Sequence, residues 1–251
     1  MPHSRRQALA ALLLSVPALT VPLLAQEEPK AEPKPELKTE TKPESKTEDK
    51  PERPRTPPPL RLTIEGDVSG DMGKVAGNLT TLFYDCYPKL LKRFENEEKF
   101  AARSIKIEFK KGIKVPAYAH RDTITVSTEW LEKHPEDIGL LTHELTHLVQ
   151  AYPNSDPGWL TEGIADYARH VYGPPQQRWA IPRRLRPEQS YKNSYGVTAK
   201  FLVWVDEKFP GTVDKIHRRM QANKFELEDF TDFTGKDVDT LWRECVMELN
   251  K

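Results

Sequence analysis

Apolar side chains are distributed along this chain in three regimes. From Ala8 to Ala25 they run almost unbroken behind Arg5 and Arg6, between Gln26 and Pro59 they nearly vanish, and beyond Leu60 they return at regular intervals. Within that third stretch, residues 78–94 (NLTTLFYDCYPKLLKRF) repeat apolar positions at helical spacing, with Pro88 marking a bend or a break. Residues 104–109 (SIKIEF) and 122–127 (DTITVS) alternate and predict strands, the second with Ile124 and Val126 on one face. Helices are predicted over 135–151 and 159–172, joined by the turn-rich residues 152–158 (YPNSDPG). After a loop rich in proline and arginine, three more follow over 196–208, 212–223 and 237–249. Early strands followed by late helices predict an α+β domain over residues 60–251.

The first two regimes predict export and a spacer. Residues 1–25 combine a cationic start, an apolar run and a small residue before Gln26, the pattern of a secretory signal peptide cut near Ala25. Pro17 and Pro22 interrupt the run, and it is short for a bilayer, which disfavours a membrane anchor. Ser4, Arg5 and Arg6 hint at the twin-arginine route, although Ala8 stands where a bulky residue is usual; no cysteine precedes Cys86, so lipid anchoring at the signal is excluded. In residues 26–59 glutamates at 28, 32, 36, 40, 44, 48 and 52 interleave with lysines at 30, 34, 38, 42, 46 and 50. A helix would stack these like charges at i and i+4, and nine prolines remove donors. The expectation is a solvated tether reaching at most roughly 100 Å at about 3.1 Å per residue, able to hold the domain off a cell envelope. The exported domain would then lie in the periplasm, at the envelope or outside the cell.

Charge narrows the function. The 251-residue chain is formally neutral; the leader carries two arginines and no acid, and the tether eight bases against nine acids, which leaves the domain near minus one. A nucleic-acid binder would show a basic excess or stripe, so nucleic acid is not an expected partner. Export permits a disulfide between Cys86 and Cys245, and two buried thiols are the ordinary alternative.

The chemistry concentrates in His143-Glu144-Leu-Thr-His147. Histidines four apart on a helix project from one face and can reach one metal, while the intervening glutamate stands about 100° round. This is the zinc-peptidase pattern. With His143 at 0°, His147 falls at about 40°, and Ile138, Leu141, Leu145 and Leu148 cluster opposite. The second helix repeats the division, with Glu162 and Asp166 on one face and Leu160, Ile164, Tyr167 and Val171 on the other. A catalytic zinc takes three protein ligands and keeps one position open. Glu162 is the expected third ligand because its longer side chain can reach across from the neighbouring helix. Asp166 suits a place behind the metal, accepting the free ring N–H of His143 or His147; the reverse assignment, Asp166 as ligand, stays open. His170 lies about 80° from Glu162 round the helix, off the shared face.

Three segments, HELTHLVQ at 143–150, WLTEGIADYAR at 159–169 and YGVTAKFLVW at 195–204, together resemble the basic secretory protein family, metallopeptidases of plants and bacteria. VPAYAHRDTITVS at 115–127 is similar to the strand region before that family's metal helix, and the resemblance spans about residues 62–245. It extends outward to the gluzincins among the zincins, whose second helix carries a ligand glutamate and an aspartate one turn on. The resemblance implies a zincin-like fold, zinc at His143, His147 and Glu162, and Glu144 as catalytic base. Two departures stand out: the domain is not basic, and only 14 residues separate His147 from Glu162, fewer than in thermolysin-like and aminopeptidase relatives.

On this reading Glu144 takes a proton from a metal-activated water and returns it to the leaving amine. A phenol, Tyr195 before Tyr191, donates to the developing oxyanion, with packing or capping the plain alternative for both. By similarity to zincins, strand 122–127 is the expected sheet edge for an extended peptide, with Thr123 and Thr125 on it and His120 before it as substrate contacts. Without a Gly-x-Met-Glu-Asn segment, an exported endopeptidase acting on peptides or proteins is expected rather than an aminopeptidase. A tethered binding module with a structural or degenerate zinc, or an amidase of cell-wall peptides, are the alternatives; Glu144 argues against the first, since a structural site has no use for it. His134 and His217 read as structural, and Trp159, Trp179, Trp204 and Trp242 as core. Arg183, Arg184 and Arg186 form a basic loop near the expected site that either reads acidic side chains or is merely solvated.

Overall fold

The computed structural model describes residues 57–96, 99–176 and 181–251. The signal peptide, the tether up to Thr56 and Trp179 lie outside the described residues. Four strands, β1 (Arg61–Glu65), β2 (Ser104–Lys110), β3 (Ala117–His120) and β4 (Thr123–Ser127), form one sheet in the order β1-β2-β4-β3. The first two pairings are parallel and the β3–β4 hairpin is antiparallel. Eight α-helices are found among the described residues: α1 (Asp71–Phe94), α2 (Thr128–Lys133), α3 (Leu140–Gln150), α4 (Gly158–Tyr172), α5 (Tyr195–Lys208), α6 (Thr212–Gln221), α7 (Asp229–Thr234) and α8 (Val238–Leu249). The mixed α+β architecture is the expected one.

Several expectations are corrected. Strand 122–127 is not an edge: β4 pairs with β2 on one side and β3 on the other, and the outer strand on that side is β3. Its four residues, between Pro116 and the turn at Arg121 with φ 57°, are too few to declare a strand by alternation. Helix α1 begins seven residues before the predicted start, because Met72, Val75 and Ala76 bury their side chains despite the poor helix propensity of Gly73 and Gly77, and it continues through Pro88. Helix α3 begins at Leu140 rather than 135, leaving Asp137 in a turn. Val171, placed on the core face by the helical wheel, is 39% exposed.

Ile105, Ile107 and Phe109 of β2 and Ile124 and Val126 of β4 point to the helices, where Leu79, Phe83 and Leu90 of α1 and Leu141, Leu145 and Val149 of α3 complete the core. Each such side chain contributes about 1.5–3 kcal/mol by leaving water. Lys106 and Glu108 occupy the opposite face of the sheet, and Thr125 donates to Glu108 there at 3.3 Å. Cys86 and Cys245 are free, buried thiols; Cys86 accepts from the Thr142 hydroxyl on α3 at 3.7 Å. Helices α4 and α5 cross so closely that a Cβ on Gly163 would stand 2.2 Å from Thr198 Cγ2. Only a residue without a side chain allows this approach, which sets Glu162 near the start of α5.

The C-terminal carbonyls of α1 and α3 are closed by α6. Phe94 C=O accepts from His217 Nε2 at 2.7 Å and from Gln221 Nε2 at 3.1 Å, and Gln221 also reaches the carbonyls of Val149 and Gln150, both at 3.3 Å. Because that carbonyl only accepts, His217 carries its proton on Nε2, and Nδ1 accepts from the Tyr152 hydroxyl at 2.8 Å. Burial first, and then the Arg218 and Arg93 cations against the pull of Phe94 C=O, press the His217 imidazolium down to about 4. The folded state therefore refuses a proton that the unfolded chain accepts at about pH 6.5. Stability from this group is complete above pH 6.5 and falls by about 3 kcal/mol as pH drops to 4. Urea midpoints measured across that window should decline less steeply in His217→Gln, whose amide can still donate to Phe94; parallel curves for the two proteins would refute the assignment.

Candidate metal centre

Helix geometry places His143 and His147 one turn apart on α3, and α4 packs against α3. His143 Nε2 lies 3.1 Å from His147 Nε2 and 3.1 Å from Glu162 Oε2, while His147 Nε2 lies 3.6 Å from the same oxygen. The ring nitrogens facing away are tied. Asp166 Oδ1 sits 2.7 Å from His143 Nδ1, and Gln150 Oε1 2.7 Å from His147 Nδ1. Gln150 cannot turn its amide round freely, since its Nε2 donates to Thr161 C=O at 2.8 Å. Both imidazoles thus carry their proton on Nδ1 in the neutral form, and two Nε2 lone pairs and a carboxylate oxygen converge with no hydrogen between them. Three such acceptors in mutual contact repel unless a positive charge, a proton on His143 Nε2 or a metal ion, sits among them. The group His143, His147 and Glu162, whose donor atoms lie within 4.8 Å of one another, therefore fits a divalent metal, and two nitrogens with one oxygen suit zinc.

The electrostatics agree. Burial depresses the His143 imidazolium, but the Asp166 and Glu162 carboxylates outweigh it and hold the group at about 10. Burial raises the Glu162 carboxyl, and the two imidazoles more than reverse this, leaving it at about 2. Positive charge is wanted here. Glu144, 7% exposed, has its carboxyl raised by burial against the opposing pull of His143 and His147.

A cavity of about 630 Å³ opens onto these groups, with Val115–Ala119 along one wall and Tyr195 at its rim. Tyr195 is 56% exposed and its ring stacks at 6.2 Å and 17° on that of His143. Both Ser194 and Tyr195 have positive φ, 65° and 46°, a turn of backbone that throws the phenol toward the cavity at the first residue of α5. The Glu162 carboxylate, followed by burial, keeps that phenol above its ordinary pKa and so protonated. Tyr191 is buried against Trp159 and Trp242 and does not line the cavity.

Other expected residues fall elsewhere. His120 is exposed and outside the cavity lining, Thr125 shares the outer sheet face with Glu108, and Thr123 meets Asp122 at 3.4 Å. Thr123 and Thr125 were expected along a sheet edge that is one strand away, while His120, expected just before β4, is the last residue of the outer strand β3. Arg183 lines a different hollow, and neither Arg184 nor Arg186 lines this one, so the basic loop is not part of the site. His170 is likewise outside it, and His217 is structural. Conversely, Gln150, Trp130, Asp137 and Arg169 were missed. Gln150 was within reach of sequence reasoning, three residues after His147 on the same helix face; the others depend on folding.

Residues 94–245 match the family model described as a peptidase of plants and bacteria. No curated protein and no solved structure matches the chain. The family match covers more than half of the 251 residues and encloses both α3 and α4, and the chain belongs to the basic secretory protein family, a family of peptidases.

Proposed function

We propose that this peptidase is an exported, zinc-dependent endopeptidase with a zincin-like site. The observation that carries the reading is the convergence of two Nε2 lone pairs and the Glu162 carboxylate, each imidazole tied from behind. His143, His147 and Glu162 would hold the ion, and Asp166 and Gln150 would keep the rings turned toward it. When bound, zinc supplies Lewis acidity, which polarises the scissile carbonyl and makes a water acidic enough to ionise near neutral pH. Glu144 accepts that water's proton and passes it to the departing amine; its raised pKa suits a group that must both take and give.

Strand β3 provides the substrate rail. Among the described residues no other strand pairs with its outer edge, and an extended peptide can add there. A second hollow of about 350 Å³ shares Ala119 and His147 with the main cavity, so the groove continues on both sides of the ligand group. Space on both sides of the ligand group accommodates the middle of a chain, which favours internal cleavage over removal of terminal residues. Tyr195 donates its phenolic proton to the oxygen that gains charge. Tyr195→Phe is expected to lower kcat about 100-fold with little change in KM; unchanged kcat would reduce Tyr195 to a packing residue. The signal and tether then deliver the domain to the cell exterior or envelope.

The direct test is metal analysis of the purified chain with digestion of a mixed peptide library. About one zinc per chain and chelator-sensitive internal cleavage, restored by zinc, are expected. Full activity in the presence of chelator would defeat the metal mechanism.

A further inference from the structure

We propose that Lys99 and Arg121 select an acidic side chain, glutamate above all, at one of the two residues that precede the bond cut by this peptidase. The inference deepens the peptidase reading above and rests on it. The hollow of about 350 Å³ beside His147 has an apolar interior and a cationic mouth. Ala101, Ala102, Ala119 and Ala151 line it beside Leu148, and their methyl groups leave the interior open. Phe100, 45% exposed, forms part of the wall, with the Arg103 guanidinium 5.8 Å from its ring. Lys99 and Arg121 complete the lining, and both are exposed.

These two cations are open to a ligand. Glu95 is occupied elsewhere, accepting from Arg103 at 2.6 and 2.7 Å and from Ala101 N–H at 2.8 Å. Asp122 accepts from the Thr123 hydroxyl at 3.4 Å and does not line the hollow. Among the described residues neither Lys99 nor Arg121 forms an ion pair, and no acid lines the hollow. The main cavity is the reverse, since the carboxyl groups of Asp137, Glu144, Glu162 and Asp166 face it. An anionic side chain therefore finds its complement in the hollow. Glutamate fits best, with methylenes against the alanines and a carboxylate that reaches the ammonium and guanidinium at the mouth.

The sheet determines on which side of the bond this selection falls. Ser127 N–H donates to Pro116 C=O at 2.8 Å, and Ala117 stands opposite Val126. Bonded and non-bonded pairs alternate along an antiparallel ladder, so Ala117 and Ala119 turn their main-chain groups to the outer edge. A peptide adding there in the stronger, antiparallel sense runs opposite to β3. The hollow lies toward Arg121, just past the end of β3, and so receives the amino-terminal half of the peptide.

The test uses the full chain with zinc and peptides that carry Glu, Gln or Lys at one of the two residues before the cut and are otherwise identical. Glu should exceed Gln about tenfold in kcat/KM, and Lys by more. Raising the salt from about 0.05 to 0.5 M should shrink the advantage over Gln about threefold. Lys99→Glu combined with Arg121→Glu should reverse the order, so that Lys exceeds Glu. If that protein loses the wild-type circular dichroism, Lys99→Gln with Arg121→Asn takes its place, asparagine tolerating the φ of 57° at this turn, and should bring Glu level with Gln. Glu97 and Glu98 lie outside the described residues, and Glu97→Gln with Glu98→Gln should keep the preference at or above its wild-type size. Binding gives a measure independent of turnover: on Glu144→Gln, calorimetric Kd values for uncut Glu and Gln peptides should show the same order. Chelator-sensitive cleavage with no acidic preference before the cut would overturn the inference. So would a preference that survives the charge reversal, or one that is lost with Glu97 and Glu98. Absence of all cleavage would instead defeat the peptidase reading, and the calorimetric comparison would still decide whether the hollow takes an acid.

Discussion

Glu144→Gln is expected to lower kcat on the order of 1,000-fold while zinc content and melting temperature stay at their wild-type values. The amide is nearly isosteric with the carboxyl group, and Glu144 is not one of the three converging donors, so the metal group keeps its geometry. Stability should hold as well, because burial already disfavours the charged form of Glu144, and a neutral amide removes that burden. What is lost is the ability to take a proton from water and carry it to the amine. The measurement is steady-state hydrolysis beside metal analysis of the same sample. Cleavage at the wild-type rate would remove Glu144 from the chemistry and favour a site in which zinc has only a structural part.

Glu162→Ala is expected to weaken zinc binding by more than about 100-fold, leaving two imidazoles and no anionic ligand. Zinc that binds only the folded state stabilises it by mass action, so at saturating metal a 100-fold loss removes about 2.7 kcal/mol of that gain. For a domain of this size the zinc-induced rise in Tm should shrink by roughly 5–10 °C. Asp166→Ala is the comparison. Asp166 meets His143 through Nδ1, the nitrogen facing away from the converging group, and its removal should weaken zinc only about 10- to 100-fold. The opposite ranking of the two variants would make Asp166 the ligand and Glu162 the supporting acid.

The two routes by which the site could be anticipated differ in range. His143 and His147 share a face because a helix repeats every 3.6 residues, a relation that needs nothing beyond the segment itself. Glu162 and Asp166 share a face for the same reason, but which of them turns to the front of the histidines depends on how α4 lies against α3. The alternating Thr-Ile-Thr-Val of β4 reads identically for an interior or an outer strand, and so the sequence places Thr123 and Thr125 on a substrate edge that β3 occupies. Tyr195 and Tyr191 are four residues apart with similar surroundings in sequence. The backbone reversal at Ser194 and Tyr195 sends one phenol to the cavity, and the aromatic cluster of Trp159 and Trp242 retains the other. Asp137 was absorbed into a predicted helix, which concealed its hold on Trp130 and Arg169.

From sequence alone came the α+β order of elements, the separation of α3 and α4 each into an apolar and a chemical face, and the family resemblance. These follow from local periodicity and from short motifs, which survive without knowledge of the fold. Strand order, the choice among neighbouring acids and phenols, the partners of the imidazole Nδ1 atoms and the hold of Asp137 on Trp130 were decided only in three dimensions. Each depends on a contact between residues that meet when separate elements pack, and hydrophobic burial determines that packing without leaving a local mark in the order of amino acids.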